Sequence, residues 1–143
     1  MTATGLVLVP LGGVTLTVDG RAVDPAKTFI YKGMMYSDVP NLASVFGYTN
    51  ASWTLKADLV CEYVCRLLNH MDRHGYRQCT PHNGDPSLQE ERWVNFSSGY
   101  IQRALAHQPK QGSRRPWKLY QNYALDLLSL RFGKLLDAMV FSR

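Results

Sequence analysis

Residues 39–75 read VPNLASVFGYTNASWTLKADLVCEYVCRLLNHMDRHG, and this stretch decides the fold of the chain. Residues 42–46 are a short apolar run after a proline, which predicts a buried strand. A turn follows, and a helix is predicted to begin near Ala51 or Ser52. Gly75 is the expected stop, because glycine adopts the left-handed conformation that ends many helices. The stretch therefore predicts a strand, a tight turn and a helix of about 23 residues.

One face of the predicted helix is apolar. Its members recur at the three- and four-residue intervals of an α-helix, and they are Ala57, Val60, Cys61, Val64, Leu67, Leu68 and Met71. Burial of such a stripe stabilises a fold by about 1.5–3 kcal/mol per large side chain, before the entropy cost. We therefore expect this helix to pack on a substantial surface.

The junction between this strand and this helix is a candidate ligand site. A helix N-terminus presents backbone N–H groups that lack intrahelical partners, and α/β sheets bind ligands beyond the carboxyl ends of their strands. Asn50 or Ser52 could cap the helix, but neither is followed by the Glu or Gln of a capping box. The pattern leaves two interpretations open, a ligand-binding junction and a plain strand–helix unit without a ligand.

The composition predicts a single domain with its own core. The chain has 143 residues, of which 45% are hydrophobic, enough for one domain. It shows no signal peptide and no apolar run near the ~18 residues of a membrane span. Three cysteines, an odd count, favour reduced thiols and a cytoplasmic location. The net charge of +5 permits an acidic partner without requiring one.

The flanking segments predict further elements. Asp19-Gly20 lies between the alternating runs 14–18 and 21–23, which predicts a hairpin with a type I′ turn. The other predictions are a short strand at 28–31, a loop at 32–36, a polar loop at 78–91, a short helix at 99–107 and a C-terminal helix at 117–131.

Four metal-ligating side chains lie close together in the sequence: His70, His74, Cys79 and His82. Three histidines and a cysteine could bind zinc. The spacing matches neither CxxC nor HExxH, and a helix C-terminus already favours histidine through its dipole. We therefore expect no metal site here.

A basic cluster near the C-terminus supports an alternative function. Such clusters are usually solvated surface, but one interleaved with aromatic residues could bind nucleic acid or another acidic partner. The residues concerned are Arg114, Arg115 and Lys118 with Trp117, Tyr120 and Tyr123. The alternative is therefore a small basic binding module, although we expect no nucleic-acid partner.

Six segments, taken in order, carry a family resemblance. They are TATG (2–5), DG (19–20), YKGMM (31–35), VPNL (39–42), GYTNASWTLKADL (47–59) and PKQGS (109–113). Together they resemble the C-terminal third of the flavin-containing monooxygenases, most closely the Baeyer–Villiger type that oxidises ketones and activates thioamide prodrugs. The long run at 47–59, in register with the others, is the specific part.

The resemblance implies a function and a site. The function is FAD- and NADPH-dependent insertion of oxygen into small ketones, or oxidation of thio-compounds. The implied FAD contacts are Thr4, Gly5, Asn50, Thr54 and Leu55, the last two through their backbone to the flavin ring. The residues implied to face the substrate are Ala51, Ser52 and Trp53. No catalytic residue is implied within this chain.

The resemblance also implies a fold class and a division of the chain. The expected fold is α+β, the C-terminal remnant of an α/β flavoprotein with two Rossmann-like dinucleotide-binding domains. Residues 1–75 would complete the FAD-binding domain, and residues 76–143 would form a polar loop and a helical tail. The Gly-x-Gly-x-x-Gly fingerprints that hold FAD and NADPH are missing from this sequence. We therefore expect the chain alone to be inactive; its oligomeric state stays open.

Overall fold

A computed structural model describes residues 9–91 and 103–143 of the chain. These residues form an α+β fold with one long helix and four two-stranded antiparallel ladders. In order, the elements are β1 Leu16–Val18, β2 Arg21–Val23, β3 Ile30–Tyr31, β4 Met35–Tyr36, α1 Trp53–His74, β5 Gln78–Pro81, β6 Glu90–Glu91, β7 Gln111–Gly112, α2 Tyr123–Leu127 and β8 Met139–Ser142. No helix in the described ranges is long and apolar enough to cross a bilayer.

Two local predictions are confirmed. Helix α1 ends at His74, and Gly75 follows with a φ of 66°, the left-handed conformation of a C-terminal cap. The hairpin forms as expected, with β1 and β2 paired so that Val18 lies opposite Arg21. Its turn residues Asp19 and Gly20 both have positive φ, 50° and 76°, as a type I′ turn requires.

The buried face of α1 differs from the predicted face. Its buried residues are Lys56, Leu59, Val60, Tyr63, Leu67 and Met71. Cys61 and Leu68, predicted to be buried, are exposed. The prediction missed Tyr63, whose hydroxyl lies 3.0 Å from that of Tyr31 and donates to the Leu135 carbonyl at 3.1 Å. Because its hydroxyl has hydrogen-bond partners, this tyrosine can be buried in the core, and the buried face of α1 includes it.

The predicted strand at residues 42–46 is wrong for the described residues. The segment makes an isolated antiparallel bridge between Ala43 and Met35. Its side chains alternate between exposed and half-buried, which keeps the period of two. A strand needs a continued ladder of backbone hydrogen bonds to a neighbour, and the described part of the chain continues this one no further.

The C-terminal helix is shorter than predicted. It begins at Tyr123 rather than at residue 117, and a π-helical turn, Leu128–Phe132, continues it. The Pro116 carbonyl accepts from the Lys32 N–H at 2.9 Å, which ties residues before α2 to β3–β4. Gln121 has a φ of 50°, which is incompatible with a continuous helix. The predicted 78–91 loop likewise contains β5 and β6, paired with β8 and β7.

The core joins α1 to segments before and after it in the sequence. Its members are Tyr31, Met34, Met35, Leu59, Val60, Tyr63, Leu67, Met71, Cys79, Trp117 and Leu130. The predicted 32–36 loop is the turn and second strand of the β3–β4 hairpin, and its methionines are fully buried. The predicted helix at 99–107 is described only from residue 103, where Leu105–His107 forms a 3-10 turn.

Candidate functional site

The start of α1 leaves its first backbone amides open. Residues 50–55 are all exposed, with Trp53 at 57%. Ser52 precedes the helix, but its hydroxyl lies 2.8 Å from that of Thr54 and caps no backbone amide. Open amides at the positive end of a helix dipole favour an anion or a polarised carbonyl oxygen. Ala51, Ser52, Trp53, Thr54 and Leu55, predicted from the sequence as contact residues, lie here together.

Trp53 leans on the segment that precedes the turn. Its ring centroid lies 5.2 Å from that of Phe46, with the two planes tilted by 48°. The Gly47 backbone runs so close to the indole that a Cβ there would lie 2.2 Å from Cγ of Trp53. The close approach therefore requires glycine at this position. The absence of a side chain at Gly47 leaves the space that the indole occupies.

The turn before α1 is bound to the C-terminal part of the chain. The N–H and the hydroxyl of Thr49 both donate to Oε1 of Gln121, at 3.1 and 3.2 Å. Nδ2 of Asn50 donates to the Gln121 carbonyl at 3.2 Å. Asn50 was a candidate helix cap and FAD contact, but its side chain binds the Gln121 backbone instead. No sequence signal marks Gln121, because the contact spans 72 residues.

A buried ion pair holds the first turn of α1. Nζ of Lys56 lies 2.8 Å from Oδ2 of Asp126 on α2, and the Tyr48 hydroxyl donates to the same oxygen at 2.8 Å. Lys56 and Asp126 are only 4% and 8% exposed. Burial raises the pKa of Tyr48, and the hydrogen bond to Asp126 and the charge of Asp126 raise it further. The hydroxyl therefore remains a donor.

A second buried polar cluster lies beside the core. The Tyr31 hydroxyl lies 3.0 Å from that of Tyr63 and donates to Oδ1 of Asp137 at 3.0 Å. Nζ of Lys32 binds the same carboxylate at 2.9 Å. Burial raises the pKa of Tyr31 and of Tyr63, and it lowers the pKa of Lys32 although Asp137 partly opposes this. These groups satisfy one another, which indicates a structural role.

The structure does not gather the four candidate zinc ligands. The His70 and His74 rings lie 4.2 Å apart by centroid. His82 instead pairs with Asp38 at 2.7 Å, and Cys79 is a buried free thiol whose pKa burial raises. In residues 9–91 and 103–143, no three His, Cys, Asp or Glu side chains converge as metal ligands would.

The basic cluster is largely paired with acidic residues. Arg114 binds Asp85, and Lys118 lies 3.0 Å from Glu91. Trp117 is buried at 3% exposure, with its ring 5.5 Å from that of Tyr31. Binding of single-stranded nucleic acid uses free positive charge and open aromatic faces. Arg115 lies 4.9 Å from the ring centroid of Tyr120, and Tyr120 and Tyr123 are 39% and 41% exposed. Two of the three cations and one of the three aromatic residues are therefore engaged within the chain.

Thr4 and Gly5, the other predicted FAD contacts, lie outside the described residues. The structure also places Lys56 and Asp126, neither of which was predicted from the sequence, next to the start of α1. A lysine on an amphipathic helix is expected to be exposed to solvent, so the sequence carries no signal that Lys56 is buried.

The chain is 52% identical over 137 residues to the FAD-containing monooxygenase EthA of Mycobacterium tuberculosis, which covers 96% of this chain. It is related to the FAD-containing monooxygenases. The EthA of Mycolicibacterium smegmatis is 49% identical over 94% of this chain, and the "Probable FAD-binding monooxygenase AlmA" of Acinetobacter baylyi is 44% identical over 98% of it.

These matches confirm the resemblance: this chain is similar to the C-terminal portion of FAD-containing monooxygenases. The chain spans about 28% of the length of the curated relatives it matches. No family model and no solved structure matches it.

The chemistry of the groups at the start of α1 suits one edge of an FAD ring. The flavin ring carries carbonyl oxygens and a nitrogen that gains negative charge on reduction, and proteins tune it by placing donors and positive charge at this edge. The open first-turn amides and the dipole of a 22-residue helix are donors and charge of this kind.

Proposed function

We propose that this chain is the flavin-ring-facing portion of an FAD- and NADPH-dependent monooxygenase of the Baeyer–Villiger type. Its substrates would be small ketones or thio-compounds. The observation that carries the proposal is the exposed and uncapped start of α1, in a chain 52% identical to an FAD-containing monooxygenase. FAD, reduced by NADPH, supplies the oxygen-transfer chemistry when bound, and the protein supplies position and electrostatics.

The proposed roles follow the order of residues along the turn and the helix. The N–H groups of Thr54 and Leu55 donate towards the flavin ring, and Asn50 holds the preceding turn through Gln121. Trp53, Ala51 and Ser52 face the substrate, where the exposed indole offers a large apolar surface. Thr4 and Gly5 lie near the FAD in this proposal.

The chain alone would offer FAD few contacts. The pyrophosphate of a dinucleotide is held by a glycine-rich turn at a helix N-terminus, and this sequence has no such fingerprint. Contacts at the ring edge alone fall short of an association cost of at least ~4 kcal/mol. Residues 1–75 would then complete an FAD-binding domain, with residues 76–143 as its tail. Three free thiols agree with a reducing, cytoplasmic location.

A chimera tests the proposal. This chain replaces the matching portion of the Mycobacterium tuberculosis relative, and bound FAD, NADPH oxidation and products are measured with small and bulky ketones and with thio-compounds. We expect FAD binding and oxygen insertion by the chimera, and neither by the 143-residue chain alone. A folded chimera that holds no FAD would contradict the proposal, as would tight FAD binding with turnover by the chain alone.

A matched pair of variants tests the role of Trp53. Trp53→Ala in the chimera should change the relative rates across the substrate panel while FAD content is retained. Phe132→Ala removes an aromatic side chain that is 72% exposed in the π-helical turn, and it should leave the relative rates unchanged. Equal substrate preference in both variants would place Trp53 away from the substrate.

A further inference from the structure

Gln121 accepts three hydrogen bonds from two consecutive residues of the turn before α1. Its side-chain oxygen takes the N–H and the hydroxyl of Thr49, at 3.1 and 3.2 Å, and its carbonyl takes Nδ2 of Asn50 at 3.2 Å. Gln121 thus binds the turn through both its side chain and its backbone. Two separate points of attachment restrict the orientation of the turn as well as its distance from Gln121.

The backbone of Gln121 is held in a conformation that glutamine seldom adopts. Its φ of 50° lies in the left-handed region, which side chains other than glycine avoid. Such a conformation persists where its surroundings determine it, and it concentrates at functional sites. Hydrogen bonds hold the backbone on both sides of Gln121. Before it, the Leu119 N–H donates to Oε1 of Gln111 at 3.1 Å. After it, Oδ1 of Asn122 accepts from the Leu125 N–H at 3.2 Å and caps α2.

Asp126 holds the two flanks of the same turn. Its Oδ2 accepts from the Tyr48 hydroxyl just before the turn and from Nζ of Lys56 in the first turns of α1, both at 2.8 Å. The tail therefore contacts residues 48, 49, 50 and 56 and leaves residues 51–55 exposed. The contacts surround the candidate site without covering it.

We propose that Gln121 is a positioning residue which, together with Asp126, sets the turn before α1 and thereby aims the first-turn amides at the flavin ring. This inference rests on the proposed function. Residues more than 60 positions beyond the site thus control its geometry without touching the cofactor.

Hydrogen exchange on the 143-residue chain tests the contact itself. Gln121→Leu should speed exchange of the Thr49 amide by about tenfold or more, with little change at the buried amides around Leu67. Gln121→Glu should restore protection, because both Thr49 bonds need only an acceptor oxygen. Gln121→Asn tolerates the left-handed backbone but is one methylene shorter, so it should behave like Gln121→Leu.

Gln89→Leu is the matched control, since the Gln89 side chain is exposed and its backbone carbonyl accepts from the Ser113 N–H. It should leave Thr49 exchange unchanged. Unchanged Thr49 exchange in Gln121→Leu would overturn the proposal, and so would a uniform rise across all amides, which would indicate global destabilisation.

The chimera tests the consequence for the flavin. Gln121→Leu should retain FAD and the KM for NADPH while kcat for oxygen insertion falls by about ten- to a hundredfold, the scale of a small misplacement. Gln89→Leu should match the unmodified chimera. If the unmodified chimera holds no FAD, the proposed function fails and the flavin-facing role of Gln121 fails with it, whatever hydrogen exchange shows. If it holds FAD and kcat is equal in both variants, the positioning role alone is wrong.

Discussion

Nζ of Lys56 and Oδ2 of Asp126 meet at 2.8 Å across 70 residues of sequence, and both side chains are almost fully buried. An unpaired charge in this position would cost several kcal/mol in lost hydration. The pair explains how a lysine occupies the buried face of α1, and it joins α2 to the helix that carries the candidate site.

We expect loss of either partner to destabilise the chain strongly. Lys56→Met or Asp126→Leu should each lower the free energy of unfolding by about 3–5 kcal/mol, because the remaining group is buried without its partner. The double variant Lys56→Met/Asp126→Leu should recover a large part of the loss. Urea unfolding of the four proteins gives the coupling energy.

Lys27→Met is the control for this cycle, since the Lys27 side chain is 83% exposed and lies 4.0 Å from Asp24. It should change stability by no more than about 0.5 kcal/mol. Strictly additive losses in the double variant would show that Lys56 and Asp126 do not stabilise each other.

The second prediction concerns the contact of Gly47 with Trp53. A Cβ at position 47 would lie 2.2 Å from Cγ and 2.7 Å from Cβ of Trp53, so Gly47→Ala must displace the indole or the turn. We expect a loss of about 1–3 kcal/mol, as for other overpacked sites, with a change in tryptophan near-UV circular dichroism. Gly84→Ala has no atom within 4 Å of the new methyl group and is the matched control. Equal behaviour of the two variants would be inconsistent with the described turn.

Some features of this fold follow from local sequence and could be predicted. Helix α1 and its stop at Gly75, and the hairpin turn at Asp19-Gly20, depend on residues within a few positions of each other. The burial of Lys56 depends on Asp126, and the position of Thr49 depends on Gln121. No local pattern carries that information.

The predicted strand at residues 42–46 failed for a related reason. An apolar run with a period of two specifies an extended backbone, but a strand also needs a partner with free hydrogen-bonding groups. Met35 supplies a bridge to Ala43 in the described residues, and that is too little for a ladder. The sequence therefore predicts the conformation of this segment but not its pairing.

A third prediction follows from the buried tyrosines. Because burial raises the pKa of Tyr31 and Tyr63, the native chain keeps these protons above the ordinary tyrosine pKa of 10.0, where the unfolded chain releases them. The unfolded state then binds fewer protons, so stability falls with rising pH by about 1.4 kcal/mol per unit for each retained proton. Below that pKa this contribution is fully present.

The measurement is urea unfolding across the alkaline range, together with tyrosinate absorbance. The double variant Tyr31→Phe/Tyr63→Phe should lose stability less steeply with pH. Lys32 opposes the effect, because its lowered pKa lets the native chain release that proton before the unfolded chain does. An unchanged slope in the double variant would mean that neither hydroxyl is held protonated.

The last prediction separates the two apolar sides of α1. Leu67 is 3% exposed in the core, whereas Leu68 is 54% exposed. Both border a groove of about 300 Å³ that is lined also by Ala43 and Val64. In the 143-residue chain, Leu67→Ala should cost about 2–5 kcal/mol. Leu68→Ala should change stability by no more than about 0.5 kcal/mol.

The same two variants in the chimera show whether the groove is covered there. Exposed apolar surface is typical of an interface, and the chain spans about 28% of the length of its relatives. If the rest of the chimera packs on this side of α1, Leu68→Ala should become as costly in the chimera as Leu67→Ala is in the chain. A Leu68→Ala chimera as stable as the unmodified chimera would show that this side of the helix remains open to solvent in the chimera.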